Sequence, residues 1–127
     1  MQAILLALSL IFAVANLQVF DAAKEKVVQT IPVTPDVRQE AEAWLGSVES
    51  LYPQFNIDIK QGLVLKVPFD PPYNMKSRFY TGPVSEVNLI LPPDRRPTLL
   101  VITKENKPLV FLFTRDVKPF LKRKGIQ

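Results

Sequence analysis

The sequence predicts an α+β domain behind an N-terminal hydrophobic helix. Three patterns support this fold class. Residues 3–20 are apolar with few exceptions, residues 35–52 repeat apolar side chains every three or four positions, and later segments alternate apolar and polar side chains. We therefore expect one amphipathic helix and a short terminal helix, packed on a mixed or antiparallel sheet of about five strands.

The 127 residues have room for one domain with a single hydrophobic core. Twelve prolines fall singly or in pairs between the apolar segments, a distribution typical of short elements joined by turns. The chain accordingly divides into a membrane anchor or signal peptide at 1–20, a linker with a first strand at 21–34, and the small α+β domain at 35–127.

A retained anchor is one interpretation of the N-terminal segment. As a helix, residues 3–20 reach about 27 Å, marginally enough to cross the hydrocarbon core of a membrane and contact its lipid. No Lys or Arg precedes the segment, whereas Lys24 and Lys26 follow it. This asymmetry places the domain on the cytoplasmic side of a single-pass signal anchor.

A cleaved signal peptide is the alternative. The apolar residues 4–12 are followed by Ala13-Val14-Ala15, a small-x-small cleavage sequence, and the domain would then be secreted, periplasmic or lumenal. This interpretation lacks the usual basic residues before the apolar stretch. The absence of cysteine also argues slightly against an oxidising compartment, so we favour the anchor at this point.

The main helix is predicted from residue 35 to residue 52. Thr34, Pro35 and Asp36 provide a capping hydroxyl, a proline suited to the first turn and a carboxylate near the positive end of the helix dipole. Seven apolar side chains follow at helical spacing until Pro53 ends the helix, namely Val37, Ala41, Trp44, Leu45, Val48, Leu51 and Tyr52.

Alternating or apolar segments predict the strands, which are 27–33, 55–59, 63–67, 84–91, 98–103 and 109–113. The turn at Gln61-Gly62 makes 55–67 a hairpin. The last two strands are almost continuously apolar, which favours burial on both faces and a place at the centre of the sheet. Asp116 caps a short terminal helix that ends before Gly125.

The absence of cysteine and histidine excludes dithiol chemistry, thiolate nucleophiles, the usual general base and nearly all zinc and copper sites. Asp36 and Glu40 lie one turn apart on the predicted main helix, and Asp58, Asp70 and Asp94 lie at turns or strand ends. Helix-dipole and solubility roles account for them. We predict no catalytic, cofactor-binding or metal-binding residue and no cofactor. The chain is therefore predicted not to be an enzyme.

The basic residues concentrate in the last quarter of the chain. Residues 21–94 hold seven basic and ten acidic residues, a net of −3, whereas residues 95–127 hold nine and two, a net of +7. Four of these cations suit contact with an anionic membrane surface, namely Lys118, Lys122, Arg123 and Lys124. The cluster is too short and isolated for a nucleic-acid site.

Residues 68–83 are predicted to be a long loop with aromatic and cationic side chains. A loop of this length is unusual in a compact domain and often binds a partner. Its candidate contact residues are Phe69, Tyr73, Lys76, Arg78, Phe79 and Tyr80. A purely structural interpretation stays open, in which the rings tuck beneath the loop as a small hydrophobic cluster.

The C-terminal segment resembles the closing part of the thioredoxin fold. Arg96-Pro97-Thr98-Leu99-Leu100-Val101-Ile102 is followed by a turn, by strand 109–113 and by the terminal helix. The resemblance implies a structural cis-proline at Pro97, and the family's redox cysteines have no counterpart here. The same segment is faintly similar to the chaperone-like subunit of the chloroplast-type protein-import machinery.

The sequence thus predicts a membrane-tethered, non-enzymatic interaction module, an accessory subunit or assembly factor that binds a protein partner. The alternative is an exported, redox-inactive thioredoxin-like or chaperone-like domain, which requires removal of the N-terminal segment.

Overall fold

The computed structural model describes residues 15–52 and 60–127. Within these ranges the chain forms seven strands and two helices. In chain order they are β1 (Asn16–Asp21), β2 (Lys26–Pro32), α1 (Pro35–Gly46), β3 (Val48–Leu51), β4 (Leu63–Lys76), β5 (Thr81–Leu91), β6 (Thr98–Thr103), β7 (Pro108–Phe113) and α2 (Lys118–Arg123).

The strands form one sheet in the order β2-β1-β4-β5-β6-β7-β3, and every neighbouring pair is antiparallel. The predicted fold class, an α+β domain with about five strands behind a hydrophobic helix, is therefore wrong. The protein is mostly an antiparallel sheet. Strands β1 and β3 lie in segments that were predicted to be helical, and β4 continues into the segment that was predicted to be a loop.

The N-terminal segment shows the first of these differences. Residues 16–20 belong to β1, where Leu17 and Val19 are buried and Gln18 and Phe20 are exposed. This is the period-two alternation of a strand, and β1 lies inside the sheet between β2 and β4. The predicted helix over 3–20 is wrong in this part, and residues 1–14 lie outside the described residues.

None of the helices in residues 15–52 and 60–127 has the length and apolar character needed to cross a bilayer. The predicted single-pass membrane location is therefore corrected. Lys26 opens β2 and Lys24 lies in the turn before it, where its N–H donates to the Asp21 carboxylate at 3.1 Å. These two lysines thus belong to a β-hairpin of the sheet.

Helix α1 begins at Pro35 as predicted but ends at Gly46. Ser47 closes it, since both its N–H and its hydroxyl donate to the Trp44 carbonyl, at 3.1 and 3.0 Å. The next residues form β3, which pairs with β7 at one edge of the sheet. The apolar side chains Val48 and Leu51 happen to continue the helical spacing, which is why the sequence placed them in the helix.

Both helices pack on one face of the sheet. Their contact is direct, because the Trp44 and Phe120 rings meet edge to face with centroids 5.8 Å apart. The largest fully buried side chains beside these two rings come from the sheet and from α1; they include Leu17, Leu45, Leu65, Leu89, Leu99 and Phe111. One core therefore fills the layer between the sheet and the helices.

The centre of the sheet is β5 rather than β6 and β7. In β6 only one face is buried: Leu99 and Val101 point to the core, while Leu100 and Ile102 are partly exposed. The prediction that these two strands form the centre of the sheet is therefore wrong, and so is burial of β6 on both faces, although Val110 and Phe111 on opposite faces of β7 are both buried. Strand β6 carries apolar side chains on both faces, but apolar side chains on a protein surface are common and do not require that both faces be covered.

Candidate functional site

The predicted loop is mostly a β-hairpin that leaves the sheet. Beyond Val84, β5 no longer pairs with β6, and residues 81–83 pair only with residues 74–76 of β4. We call residues 70–83 the arm. A break in register between Pro68 and Tyr73 bends it, and its Met75 is buried against the core. The arm therefore folds back towards the domain.

Ser77 fixes the turn at the tip of the arm. Its hydroxyl oxygen accepts the N–H groups of Phe79 and Tyr80 at 3.2 and 3.0 Å, and its own N–H donates to the Tyr80 carbonyl at 3.0 Å. Such side-chain bonds to nearby backbone are typical of serine in turns. The role of Ser77 is therefore to shape the tip.

The aromatic side chains of the arm region face the protein. Phe69 is buried, with its ring centroid 5.7 Å from that of Tyr73. The Phe79 ring packs on the Phe111 ring with centroids 6.2 Å apart, and the Tyr80 hydroxyl donates to the Pro83 carbonyl at 2.9 Å. Tyr73, Phe79 and Tyr80 are therefore half-buried, whereas the cations of the arm are exposed.

Among the predicted contact residues of the arm, Lys76 and Arg78 are exposed. The Arg78 guanidinium lies over the Phe79 ring, 5.0 Å from its centroid. The ring thus contacts the guanidinium itself, and the Arg78 side chain stays exposed to solvent.

The turn between β6 and β7 lies beside the arm. The Pro83 carbonyl accepts both the Tyr80 hydroxyl and the Lys104 N–H, the latter at 3.3 Å. Burial raises the pKa of Tyr80, and the nearby Glu105 carboxylate raises it further. Lys104 and Lys107 of this turn are exposed. No local sequence pattern predicts that they approach the arm, because the pairing of β5 with β6 brings the two turns together.

The cations of α2 fall into two groups. Lys124 is used within the fold: its ammonium pairs with the Asp36 carboxylate at 2.8 Å, and its carbonyl accepts the Gln29 amide at 3.2 Å. Lys118, Lys122 and Arg123 are exposed, with the Arg123 guanidinium 5.6 Å from the Phe120 ring centroid. They lie on the six-residue helix α2.

The arm and α2 both contact the first turns of α1. Arg38 donates to the Pro71 carbonyl at 2.7 Å and lies 5.1 Å from the Phe69 ring centroid, while Asp36 holds Lys124. A cavity of about 320 Å³ opens here, with Arg38 and Asp70 in its lining. The Arg38 guanidinium already donates to the Glu42 carboxylate at 2.9 Å and to the Pro71 carbonyl. These contacts within the protein account for its position without a ligand.

Glu40 is a buried carboxylate that accepts hydrogen bonds from donors within the protein. It accepts the Trp44 indole N–H at 2.8 Å and two guanidinium N–H groups of Arg115 at 3.2 and 2.8 Å. The carboxylate raises the pKa of Arg115 through these bonds. This arrangement ties α1 to the segment before α2, which is a structural role.

Within residues 15–52 and 60–127, no three acidic side chains approach closely enough to hold a metal ion. Asp58 lies outside these ranges. The other acidic residues considered above are separated from one another. Asp36 forms an ion pair with Lys124, Glu40 forms one with Arg115, and Asp70 lines the cavity.

The ion pair of Asp36 makes the stability of the domain depend on pH. Hydrogen bonds from Lys124 and from the Thr34 hydroxyl lower the pKa of Asp36 from 3.8 to about 2. Because the folded-state value is depressed, the stabilisation is present above pH 4 and is lost as the pH falls through about 2. We expect Asp36→Asn to be less stable than wild type at pH 6 in urea titrations.

The difference in stability between the two proteins should become small as the pH approaches 2, and added salt should reduce it at pH 6, since the Asp36 carboxylate is exposed. A difference that persists unchanged at pH 2 would assign the effect to helix capping or packing instead.

The segment that resembles the thioredoxin fold contains the expected strand, hairpin partner and terminal helix, as β6, β7 and α2. Their sheet is antiparallel throughout, and among the described residues the cis peptide bond is Asp70-Pro71, so the bond before Pro97 is trans. The resemblance itself stays a prediction. Comparisons with protein-family models, with curated proteins and with solved structures find no match for this chain.

Proposed function

We propose that this chain is an exported, non-enzymatic interaction module that binds another protein through the arm and the neighbouring β6–β7 turn. The observation that carries the proposal is the hairpin that leaves the sheet, packs its aromatic rings partly against the protein and exposes its cations. A hairpin held in one shape by Ser77 can present those charges to a partner with little loss of conformational entropy.

Charge distribution supports a binding role for this end of the molecule. Several cations elsewhere are committed to ion pairs that join elements: Arg96 binds Glu49 at 2.6 Å, Arg115 binds Glu40 and Lys124 binds Asp36. The cations of the arm and of the adjacent turn form no such pair with a carboxylate of residues 15–52 or 60–127. Charged residues that a fold does not need for its own contacts are candidates for contacts with another molecule.

The start of the fold supports export. The small-x-small sequence Ala13-Val14-Ala15 ends where β1 begins, at Asn16. Cleavage after Ala15 would leave every strand and helix described here intact, apart from one bond in which the Val33 N–H donates to the Ala15 carbonyl at 3.0 Å. One backbone hydrogen bond contributes about 1 kcal/mol, which the domain can lose.

Purification of the protein from its native source tests both parts of the proposal. We expect an N-terminal sequence that starts at Asn16, extraction without detergent, and elution in size-exclusion chromatography as a complex larger than the chain alone. Retention of Met1 would contradict export. Elution of the chain alone under mild conditions, with no second polypeptide, would contradict the binding role.

A further inference from the structure

We propose that the arm and the β6–β7 turn form one basic surface that binds an acidic segment of a protein partner. This surface, the basic end, consists of Lys76, Arg78, Lys104 and Lys107. The inference rests on the proposed function and adds the chemistry of the partner.

The sheet brings the two turns together. β5 runs from the arm into the sheet, and its residue Val84 pairs with Thr103, the last residue of β6. The Pro83 carbonyl then joins the two turns by accepting Tyr80 Oη from one and the Lys104 N–H from the other. The four cations therefore project from neighbouring turns at the same end of the sheet.

The basic end carries more positive charge than its own fold neutralises. All four cations are exposed, and none forms an ion pair with a carboxylate of residues 15–52 or 60–127. Glu105, between the two lysines of the β6–β7 turn, is the carboxylate beside these cations. The other acidic residue of the arm, Asp70, lies in the register break and lines the cavity beside Arg38. Four cations beside one carboxylate create a positive local potential that attracts a partner of opposite charge.

A protein partner fits this surface better than a membrane or a nucleic acid. Insertion into a membrane needs apolar side chains at the tip, and base stacking needs exposed rings. The two tip rings are instead half-buried, with Phe79 packed on Phe111 and the Tyr80 hydroxyl bonded to the Pro83 carbonyl. The described large apolar residues with the highest exposure lie elsewhere; they are Phe20, Val27, Val28 and Leu51. An extended Asp- and Glu-rich segment needs only the accessible cations.

Binding of a fluorescent oligoglutamate peptide of about ten residues, measured by anisotropy at low ionic strength, tests the inference. The double variant Lys104→Glu/Lys107→Glu should bind the peptide at least about tenfold more weakly than wild type. Glu105→Lys should bind it more tightly, because it removes the acidic residue of the basic end. All three positions are exposed turn residues, so folding should be preserved.

The matched control is Lys118→Glu/Lys122→Glu on α2, which changes the net charge by the same amount. It should alter peptide affinity less than about threefold. Equal weakening by the two double variants would show attraction by net charge alone and overturn the inference. Binding of phosphatidylserine vesicles that is lost only in Lys104→Glu/Lys107→Glu, without peptide binding, would also overturn it in favour of a membrane.

These outcomes are separable from failure of the proposed function. If the native protein co-elutes with a partner but oligoglutamate binding is absent, the interaction role stands and only the acidic chemistry is wrong. If the native protein has no partner, the broader proposal fails whatever the peptide does.

Discussion

Trp44→Ala should destabilise the domain by about 4 kcal/mol, a large part of the total stability of a domain of this size. The Trp44 side chain is fully buried at the junction of α1, α2 and the sheet. Truncation leaves a cavity beside Phe120 and removes the indole donor from Glu40. Much of the variant should therefore be unfolded at temperatures where wild type is folded.

Trp44→Phe separates packing from hydrogen bonding. It keeps a ring against Phe120 but removes the indole N–H, while Arg115 still donates twice to Glu40. We expect a loss of about 1–2 kcal/mol, clearly smaller than for Trp44→Ala. Urea unfolding of both variants, followed by far-UV circular dichroism, measures the difference. Equal losses, or a negligible loss for Trp44→Ala, would contradict the described core.

Gly62→Ala should cost about 2–3 kcal/mol for a different reason. Gly62 precedes β4 with φ at 98°, a conformation that side chains rarely adopt. A Cβ atom here would collide with the Leu91 carbonyl oxygen and come within 3.1 Å of the Pro93 ring. The Gly62 carbonyl also accepts the Ala22 N–H at 3.0 Å, so a shift of this residue would disturb the β1–β2 turn as well.

Gly46→Ala is the matched control. Gly46 is the last residue of α1, has no positive φ, and an added Cβ would meet nothing within 4 Å. Because alanine favours helices over glycine, this variant should be neutral or more stable by up to about 1 kcal/mol. Thermal unfolding of the two variants should therefore move in opposite directions. If both lose stability equally, the turn before β4 is not as described.

Local chemistry made part of the fold predictable. The start of α1 follows from Thr34, Pro35 and Asp36, and α1 begins at Pro35. Alternation within 84–91 and apolar character in 98–103 and 109–113 identified β5, β6 and β7. These elements could be predicted because each carries its own signal within a few residues.

The elements that were missed carry ambiguous or non-local signals. In β1 the alternation of Leu17 and Val19 is masked by apolar residues before it, and Phe20 is apolar on the exposed side. In β3 the apolar spacing fits a helix and a strand equally. Pro71-Pro72 suggested a loop, whereas the structure accommodates both prolines within the register break of β4. Strand pairing decided these cases.

The candidate site shows the same division. Lys76 and Arg78 could be picked out from composition and are exposed in the arm, but the burial of Phe69 and Phe79 depends on how the arm folds back. Lys104 and Lys107 could not be predicted as part of the site, because their proximity to the arm follows from the β5–β6 pairing. Lys124 looked like a contact residue and is instead held by Asp36.

Site-specific photocrosslinking in the native host most directly tests the central claim that this protein binds a partner through its basic end. Benzoylphenylalanine would replace Arg78, Lys104 or, as a control, Lys24 in the β1–β2 turn at the opposite end of the sheet. The account predicts the same adduct from Arg78 and Lys104, to a protein with an acidic segment, and none from Lys24. Adducts from Lys24 alone, or none from any position, would contradict it.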